Sequence, residues 1–258
     1  MAATVFYLDS LPDVGGVAVL DGKEGHHAAT VRRIRVGERI VLSDGMGGVA
    51  DTVVVAVERD RLELTVESRA TAERPRPSIG LVQALPKADR SELAVELATE
   101  AGIDSIVPWQ SARCVARWEG LKANKGVTRW RNVAAAAAKQ SRRPFVPAVS
   151  DLHTTAAVLT LVRSVVSAGG VVAVLHESAT KEFASLPFSD VAEVLLVVGP
   201  EGGIDNREIV ALTDAGATPV MLGPNVLRTS TAGAVALGAL GVLTDRWARP
   251  PLESGEQS

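Results

Sequence analysis

Three short loops carry the residue types best suited to holding a small ligand. Each follows a run of β-branched and aliphatic residues. The first reads Val174-Leu175-His176-Glu177, the second Val198-Gly199-Pro200-Glu201-Gly202-Gly203-Ile204, and the third Leu222-Gly223-Pro224-Asn225-Val226-Leu227-Arg228-Thr229. Glycine permits positive φ and a close approach of the backbone, and proline stiffens the turn. Two such Gly-Pro loops on neighbouring strands would form a tight pocket lined by backbone amides and carbonyls. That lining suits the edge of an adenine ring, which needs both donors and acceptors. Neither a Gly-x-Gly-x-x-Gly turn opening a helix nor a phosphate-cradling loop with Gly-Lys-Ser/Thr occurs at these strand ends. A ligand without phosphates is therefore favoured. A single Gly-Pro after a strand is an ordinary turn, whereas two, one of them extended to GPEGG, carry more weight. Gly199, Gly202 and Gly223 are expected to face the ligand, because a Cβ there would intrude on it.

The elements that must position these loops alternate along the second part of the chain. Strands are predicted over Ser78 to Ala84, Ser105 to Trp109, Gly170 to Leu175, Val194 to Val198 and Thr218 to Leu222. Helices are predicted from Asp89, with Glu92 in capping-box spacing, to Gly102, over Val127 to Gln140, from the Asp205/Glu208 cap to Gly216, and over roughly Thr231 to Trp247. Such alternation implies an α/β fold with an open, mostly parallel sheet covered on both faces, in which ligands bind beyond the carboxyl ends of the strands. The first part reads differently. Arg39 to Leu42, Val49 to Glu58 and Arg61 to Glu67 are short strands, with one short helix around His26 to Arg33, which suggests a small β-barrel of an RNA-binding kind. Arg69 to Ser78, with two prolines and several charges, is the best linker.

The chain has 258 residues, 47% of them apolar, a formal net charge of −3 and one cysteine. It can bury a sizeable core, and its overall charge argues against non-specific coating of nucleic acid. One thiol excludes an internal disulfide and a thiolate metal cluster and suits a reducing compartment. No stretch is long and apolar enough to span a bilayer, and Met1 to Ser10 does not read as a signal peptide. A soluble, cytoplasmic protein is expected, with no membrane and no metal partner. Charge is nonetheless unevenly spread: Arg113 to Arg143 holds nine Lys and Arg and a single acid, Glu119. Contact with RNA phosphates is the favoured reading of that tract, against a merely solvated face, and Arg32, Arg33, Arg35 and Arg39 form a smaller basic cluster. Trp118 and Trp130 either stack on bases or anchor the core. Cys114 is read as structural. His26 and His27 lack the partners a metal site requires and suit RNA contact or helix packing, and His176 is read as shaping the pocket.

The loops VGPEGGI and LGPNVLRTSTA resemble the signature of the SPOUT methyltransferases, in the branch that makes N3-methyluridine in 16S rRNA. That branch reads GPEGG and then LG-x-x-LRTETA. HHAATVRRIRVGERIVLSDGMGG, LPKADRSELAVELATEAGIDSIVPWQSAR and KQSRRPFVP resemble its other motifs in order, so the likeness runs from Phe6 to about Trp247. Ser230, Lys139 and Asn225 depart from it, where the family carries glutamate, glutamate and often a basic residue; Arg228, Thr229, Gln140 and Arg143 match. The resemblance implies a PUA-like RNA-binding β-barrel over residues 1–72 and a SPOUT α/β domain over 73–248. A trefoil knot is implied within roughly 195–248, and 249–258 is expected to be a disordered tail. It implies S-adenosylmethionine as cofactor, held by Leu175, His176 and Glu177 of the first loop, by Gly199, Pro200, Gly202 and Gly203 of the second, and by Leu222, Gly223, Leu227, Thr229 and Ala232 from the third onward. It also implies a homodimer and, as partner, the 16S rRNA of the small ribosomal subunit. RNA contacts are expected from Arg32, Arg33, Arg35, Arg113, Arg129, Arg131, Arg142 and Arg143. Arg228 is the candidate to stabilise negative charge on the uracil carbonyls, or else pins its loop to Glu201; Glu201 is a candidate base, or else fixes the GPEGG loop. A knotted enzyme with a ribose 2′-hydroxyl or guanine target, and a non-catalytic RNA-binding assembly factor, remain as alternatives.

Overall fold

The computed structural model describes residues 5–248, without the side chains of Ala88 and Asp89. The expected tail over 249–258 and the expected capping role of Asp89 lie outside the described residues. Two compact units are present. One takes the chain up to Arg74 together with Ala138–Val146; the other takes Pro75–Ala137 and the described chain from Pro147 onward.

The first unit contains β1 (Val5–Tyr7), β2 (Val17–Leu20), α1 (Gly22–His26, followed by a π turn over His27–Val31), β3 (Arg39–Ser43), β4 (Gly48–Glu58) and β5 (Arg61–Thr71). Its sheet runs β1-β3-β4-β5-β2, antiparallel except where β1 lies beside β3. Along β5, buried Leu62, Leu64 and Val66 alternate with more exposed residues, the period-two pattern of a strand with one covered face. Phe6, Leu20, Ile40 and Leu42 join them in the core. Strands β1 and β2 were not expected from the sequence, being too short for alternation to register. Segment 138–146 packs into this unit through named contacts. The Lys139 ammonium bonds both Glu24 carboxylate oxygens at 2.7 Å and lies 4.8 Å from the Phe6 ring centre. The Gly47 amide donates to the Pro144 carbonyl at 2.9 Å. Lys139, one of the departures from the resembled motif, thus meets an acid of opposite sign.

The second unit contains β6 (Ser78–Ala84), α2 (Ala88–Glu100), β7 (Ser105–Gln110), α3 (Leu121–Gln140), β8 (Ala148–Val149), β9 (His153–Thr154), α4 (Thr155–Ser167), β10 (Val171–Leu175), β11 (Glu193–Val198), α5 (Asn206–Asp214), β12 (Thr218–Val220) and α6 (Thr229–Leu243); the last residues of α3 cluster with the first unit. The strand order is β12-β10-β11-β6-β7-β8, with β9 also paired to β7, and every pairing is parallel. β6 and β11 are buried almost throughout rather than on alternate residues, as a sheet covered on both faces requires.

Three elements differ from expectation for identifiable reasons. α3 begins at Leu121 rather than Val127 because Gly126 is not a breaker there: a Cβ at that position would meet the Trp118 ring. α4 was not expected at all. Its valines look strand-like, yet Val158, Val162 and Val165 fall on one buried helical face, and the Thr154 hydroxyl caps it from Ala157 N. β12 stops at Val220, and Met221 instead bridges to Glu182. The far end of α6 is fastened by Arg246, whose guanidinium bonds Asp104 at 2.9 Å, the Gly102 carbonyl at 2.6 Å and the Pro77 carbonyl.

Tyr7 reports on the first unit. Its hydroxyl donates to the Arg143 carbonyl at 2.8 Å. Burial, aided by the Glu24 charge and opposed by Arg143, pushes its pKa up to about 12. A raised acid pKa contributes stability that is complete below the ordinary tyrosine value and is lost as pH rises through the shifted one. The chain has one tyrosine, so alkaline titration of the tyrosinate absorbance reads this group alone. A midpoint about two units above the ordinary value of about 10 is expected; an ordinary midpoint would contradict the packing of Tyr7 against Arg143.

Candidate functional site

The three candidate loops leave the sheet at one level. In the parallel register Leu175 lies opposite Val198 on one side and opposite Val220 on the other, so β10, β11 and β12 end together. Beyond these ends lies a cavity of about 910 Å³, and all twelve residues expected to hold a cofactor line it, as do Arg228 and Glu201. Arg113 is the one expected RNA-contacting residue in the lining. Lys87, Arg90, Ile204 and Asn225 line it too. Lys87 lies in the stretch LPKADR that resembles the family's lysine-containing loop, which was the available signal. For Arg90 there was none.

The GPEGG loop is shaped mainly by the protein's own packing. The Gly203 amide donates to the Pro200 carbonyl at 2.9 Å, and Gly203 has φ +73°, a conformation that favours glycine. A Cβ on Gly199 would collide with the side chain of Ile204, whereas one on Gly223 would meet open space and one on Gly202 only ordinary contact with Arg113. Glycine at 199 is therefore required by the chain's own packing against Ile204, at a position that also lines the cavity. Asp205 caps α5, accepting from Arg207 N in a reciprocal box with Glu208. The Arg113 guanidinium bonds Asp205 at 3.1 Å and the Gly202 carbonyl at 3.4 Å, so it holds this loop. The Arg207 amide bond and then Arg113 depress the Asp205 pKa, against some desolvation. A depressed carboxylate keeps its interactions above the ordinary carboxylate range and loses them as pH falls through the lowered value; at neutral pH the clamp is intact.

Glu201 accepts from Lys87 N at 3.1 Å, and the Arg228 side chain is exposed with no ion pair or hydrogen bond to a described residue. The suggested Arg228–Glu201 pin is absent. Arg228 forms the N-cap position of α6, its carbonyl accepting from Thr231 N and Ala232 N. Ser230 is buried, and its hydroxyl lacks a hydrogen-bond partner among the described residues. His176 accepts from Ser178 N at 3.2 Å.

The chain matches the model of an RNA methyltransferase domain over residues 72–241 and that of an RNA methyltransferase PUA domain over residues 20–67. It is 55% identical over 247 residues to ribosomal RNA small subunit methyltransferase E of Mycobacterium tuberculosis, covering 96% of this chain and 94% of that one. The chain belongs to the ribosomal RNA small subunit methyltransferase E family. The Bacillus subtilis family member is 31% identical, covering 88% of this chain and 90% of its own. The Neisseria gonorrhoeae methyltransferase E, solved with bound S-adenosyl methionine, superposes with a TM-score of 0.83 at 26% identity, covering 94% of this chain and 98% of that one. A Legionella pneumophila methyltransferase in complex with the same cofactor gives 0.82 at 26%, covering 95% and 99%. The PUA-like and α/β parts expected from sequence are those of the methyltransferase E family.

Set in the methyltransferase E fold, the other expected RNA contacts scatter. Arg32, Arg33 and Arg35 are exposed on the first unit, where Arg33 has φ 55°; Arg142, with φ 56°, and Arg143 lie in segment 138–146. Arg129 pairs with Glu92 and Arg131 with Asp151; two residues apart on α3, they point to different faces. The basic tract is thus not one stripe. Trp130 is fully buried and donates to Ser91 at 2.8 Å, which excludes base stacking by that ring. Trp118 packs edge-on against it with centres 5.3 Å apart. Cys114 is buried against Ser111. His26 pairs with Asp60, and His27 packs on Phe6.

Gly199→Ala should cost about 1–3 kcal/mol through overpacking against Ile204. Adding Ile204→Ala should return part of that loss, while Gly223→Ala should leave the melting temperature unchanged. Thermal melts of the variants test this; equal effects at 199 and 223 would contradict the packing assignment.

Proposed function

We propose that this protein transfers a methyl group from S-adenosylmethionine to N3 of a uridine in the 16S rRNA of the small ribosomal subunit. The observation that carries the reading is the cavity beyond three level strand ends, lined by the two family loops, in a chain whose methyltransferase E relatives include a structure solved with that cofactor. The residues present fit such a ligand. The cavity has the size of a small-molecule site, Leu175, Val198 and Leu222 give it apolar walls, and backbone groups of the 199–203 and 222–223 loops would hold the adenine edge. The lining carries Glu177 and Glu201 beside Lys87, Arg90, Arg113 and Arg228, a mixture of charges that suits a ligand with both a sulfonium and a carboxylate. When bound, S-adenosylmethionine supplies the electrophilic methyl group.

The chain's own residues must do the rest. Uridine N3 is nucleophilic once its proton has left, and the resulting charge spreads onto O2 and O4. Arg228, exposed and without a partner among the described residues, is the group available to meet that charge. Glu201 already accepts the Lys87 amide, which favours a loop-fixing role over that of base. Arg32, Arg33, Arg35, Arg142 and Arg143 are proposed as phosphate contacts of the first unit, for a substrate met in the cytoplasm. A homodimer through α6 is proposed because the helix has no charged residue and leaves Val235 and Val242, one heptad apart, 45% and 79% exposed; sedimentation of Val242→Glu beside wild type tests it. The knotted path over 195–248 is likewise proposed, supported by β11 inserting between β10 and β6 while α6 returns to pack on α2.

Purified protein, labelled cofactor and 16S rRNA, free or in subunits, should yield 3-methyluridine on nucleoside mass spectrometry. Label in a ribose or a guanine would overturn the target. Arg228→Ala should keep cofactor affinity and lower kcat by about 10²- to 10³-fold, the loss typical of one preorganised oxyanion donor. Raising the pH should partly restore the rate, because solvent then supplies more of the N3 anion. Weakened cofactor binding without rescue by pH would sink the role given to Arg228.

A further inference from the structure

We infer that Glu208 is a positioning residue for the cofactor loop and acts through Arg113. This rests on reading the cavity as the S-adenosylmethionine site. Glu208 is 6% exposed and does not line the cavity. Its Oε1 accepts from Ala112 N at 2.9 Å and from the Thr155 hydroxyl at 2.7 Å. Its Oε2 faces Asp205 N at 3.4 Å. Thr155 in turn accepts from the Trp109 indole at 3.2 Å. One buried carboxylate therefore gathers the end of β7, the loop after it, and the starts of α4 and α5.

Helix capping alone would need only the Asp205 contact, and that is the longest of the three. The two short bonds go elsewhere, and one fixes the backbone amide of Ala112, the residue before Arg113. Arg113 then reaches Asp205 at 3.1 Å and the Gly202 carbonyl at 3.4 Å. Half-exposed, its ion pair adds little to stability; what it does is fix where the 200–203 backbone lies. Removing a carboxylate from water is costly unless its bonds are well made, so a buried one spanning four segments marks a place where position is specified. The chain of contacts runs from Glu208 to Ala112, to Arg113, to Gly202 at the cavity wall.

The test separates reach from charge. In Glu208→Gln the remaining oxygen still accepts from Ala112 and Thr155, and only the cap to Asp205 is lost. In Glu208→Asp the charge stays, but the side chain is one methylene too short to keep all three contacts. Calorimetric titration with S-adenosylmethionine should give near wild-type affinity for the Gln variant, despite a lower melting temperature, and an affinity at least about tenfold weaker for the Asp variant, the scale of one charge-assisted hydrogen bond. Arg113→Ala should weaken binding similarly, and Glu208→Asp added to it should cost little more. Hydrogen exchange without cofactor should be faster over 199–203 in Glu208→Asp and in Arg113→Ala but not in Glu208→Gln. Better binding by Asp than by Gln, additive losses, or unchanged exchange over 199–203 would each overturn the inference. If wild type itself binds no S-adenosylmethionine, the reading of the cavity falls, while the exchange data still decide whether Glu208 positions the loop.

Discussion

Everything in the site depends on the parallel register that places Leu175 between Val198 and Val220. Side chains and loops elsewhere can vary, but three strands that stop level must release three loops side by side. The strand order makes this possible: β10 sits between β12 and β11, so the chain must cross over to bring its third loop back beside its first. A one-residue slip in any of these pairings would turn the strand's side chains to the other face and stagger the loops. β11 is buried on both faces from Val194 to Val198, so there a slip is opposed by the misfit of valines and leucines exchanged between two close-packed faces.

On that platform the loops are held by short internal contacts. Gly199 packs against Ile204, Gly203 turns back to Pro200, Glu201 takes the Lys87 amide, and Arg113 takes Gly202. Contacts within the chain thus shape the cavity wall, and a wall held in this way lowers the cost of binding. The same separation between holding and acting shows in the charges. Arg113, Arg129 and Arg131 have acidic partners, and Lys139 has Glu24. Arg228, which faces the cavity, has none among the described residues.

How much of this was legible in the sequence follows from the range of each interaction. The loops could be read because glycine and proline act locally, and the α5 cap because Asp205 and Glu208 are three residues apart. β11 could be read because burial on both faces leaves an unbroken apolar run from Val194 to Val198, and β6 because its run is broken only by the buried polar Gln83 near its end. α4 could not, because its valines favour a strand until the sheet that covers Val158, Val162 and Val165 is known. The start of α3 was hidden because Gly126 makes room for Trp118, a packing reason invisible in one dimension. Arg113 displayed its charge but not its partner Asp205, 92 residues away. The bond from Ala112 to Glu208 spans 96 residues, beyond any local pattern.

The central claim is that three level loops enclose a site for a nucleoside ligand without phosphates. Calorimetric titration of the wild-type protein with S-adenosylmethionine and, separately, with ATP tests it most directly, since both ligands carry adenosine and only one carries phosphates. Saturable one-site binding of S-adenosylmethionine with no measurable heat from ATP is the predicted result. Equal or tighter binding of ATP would contradict it.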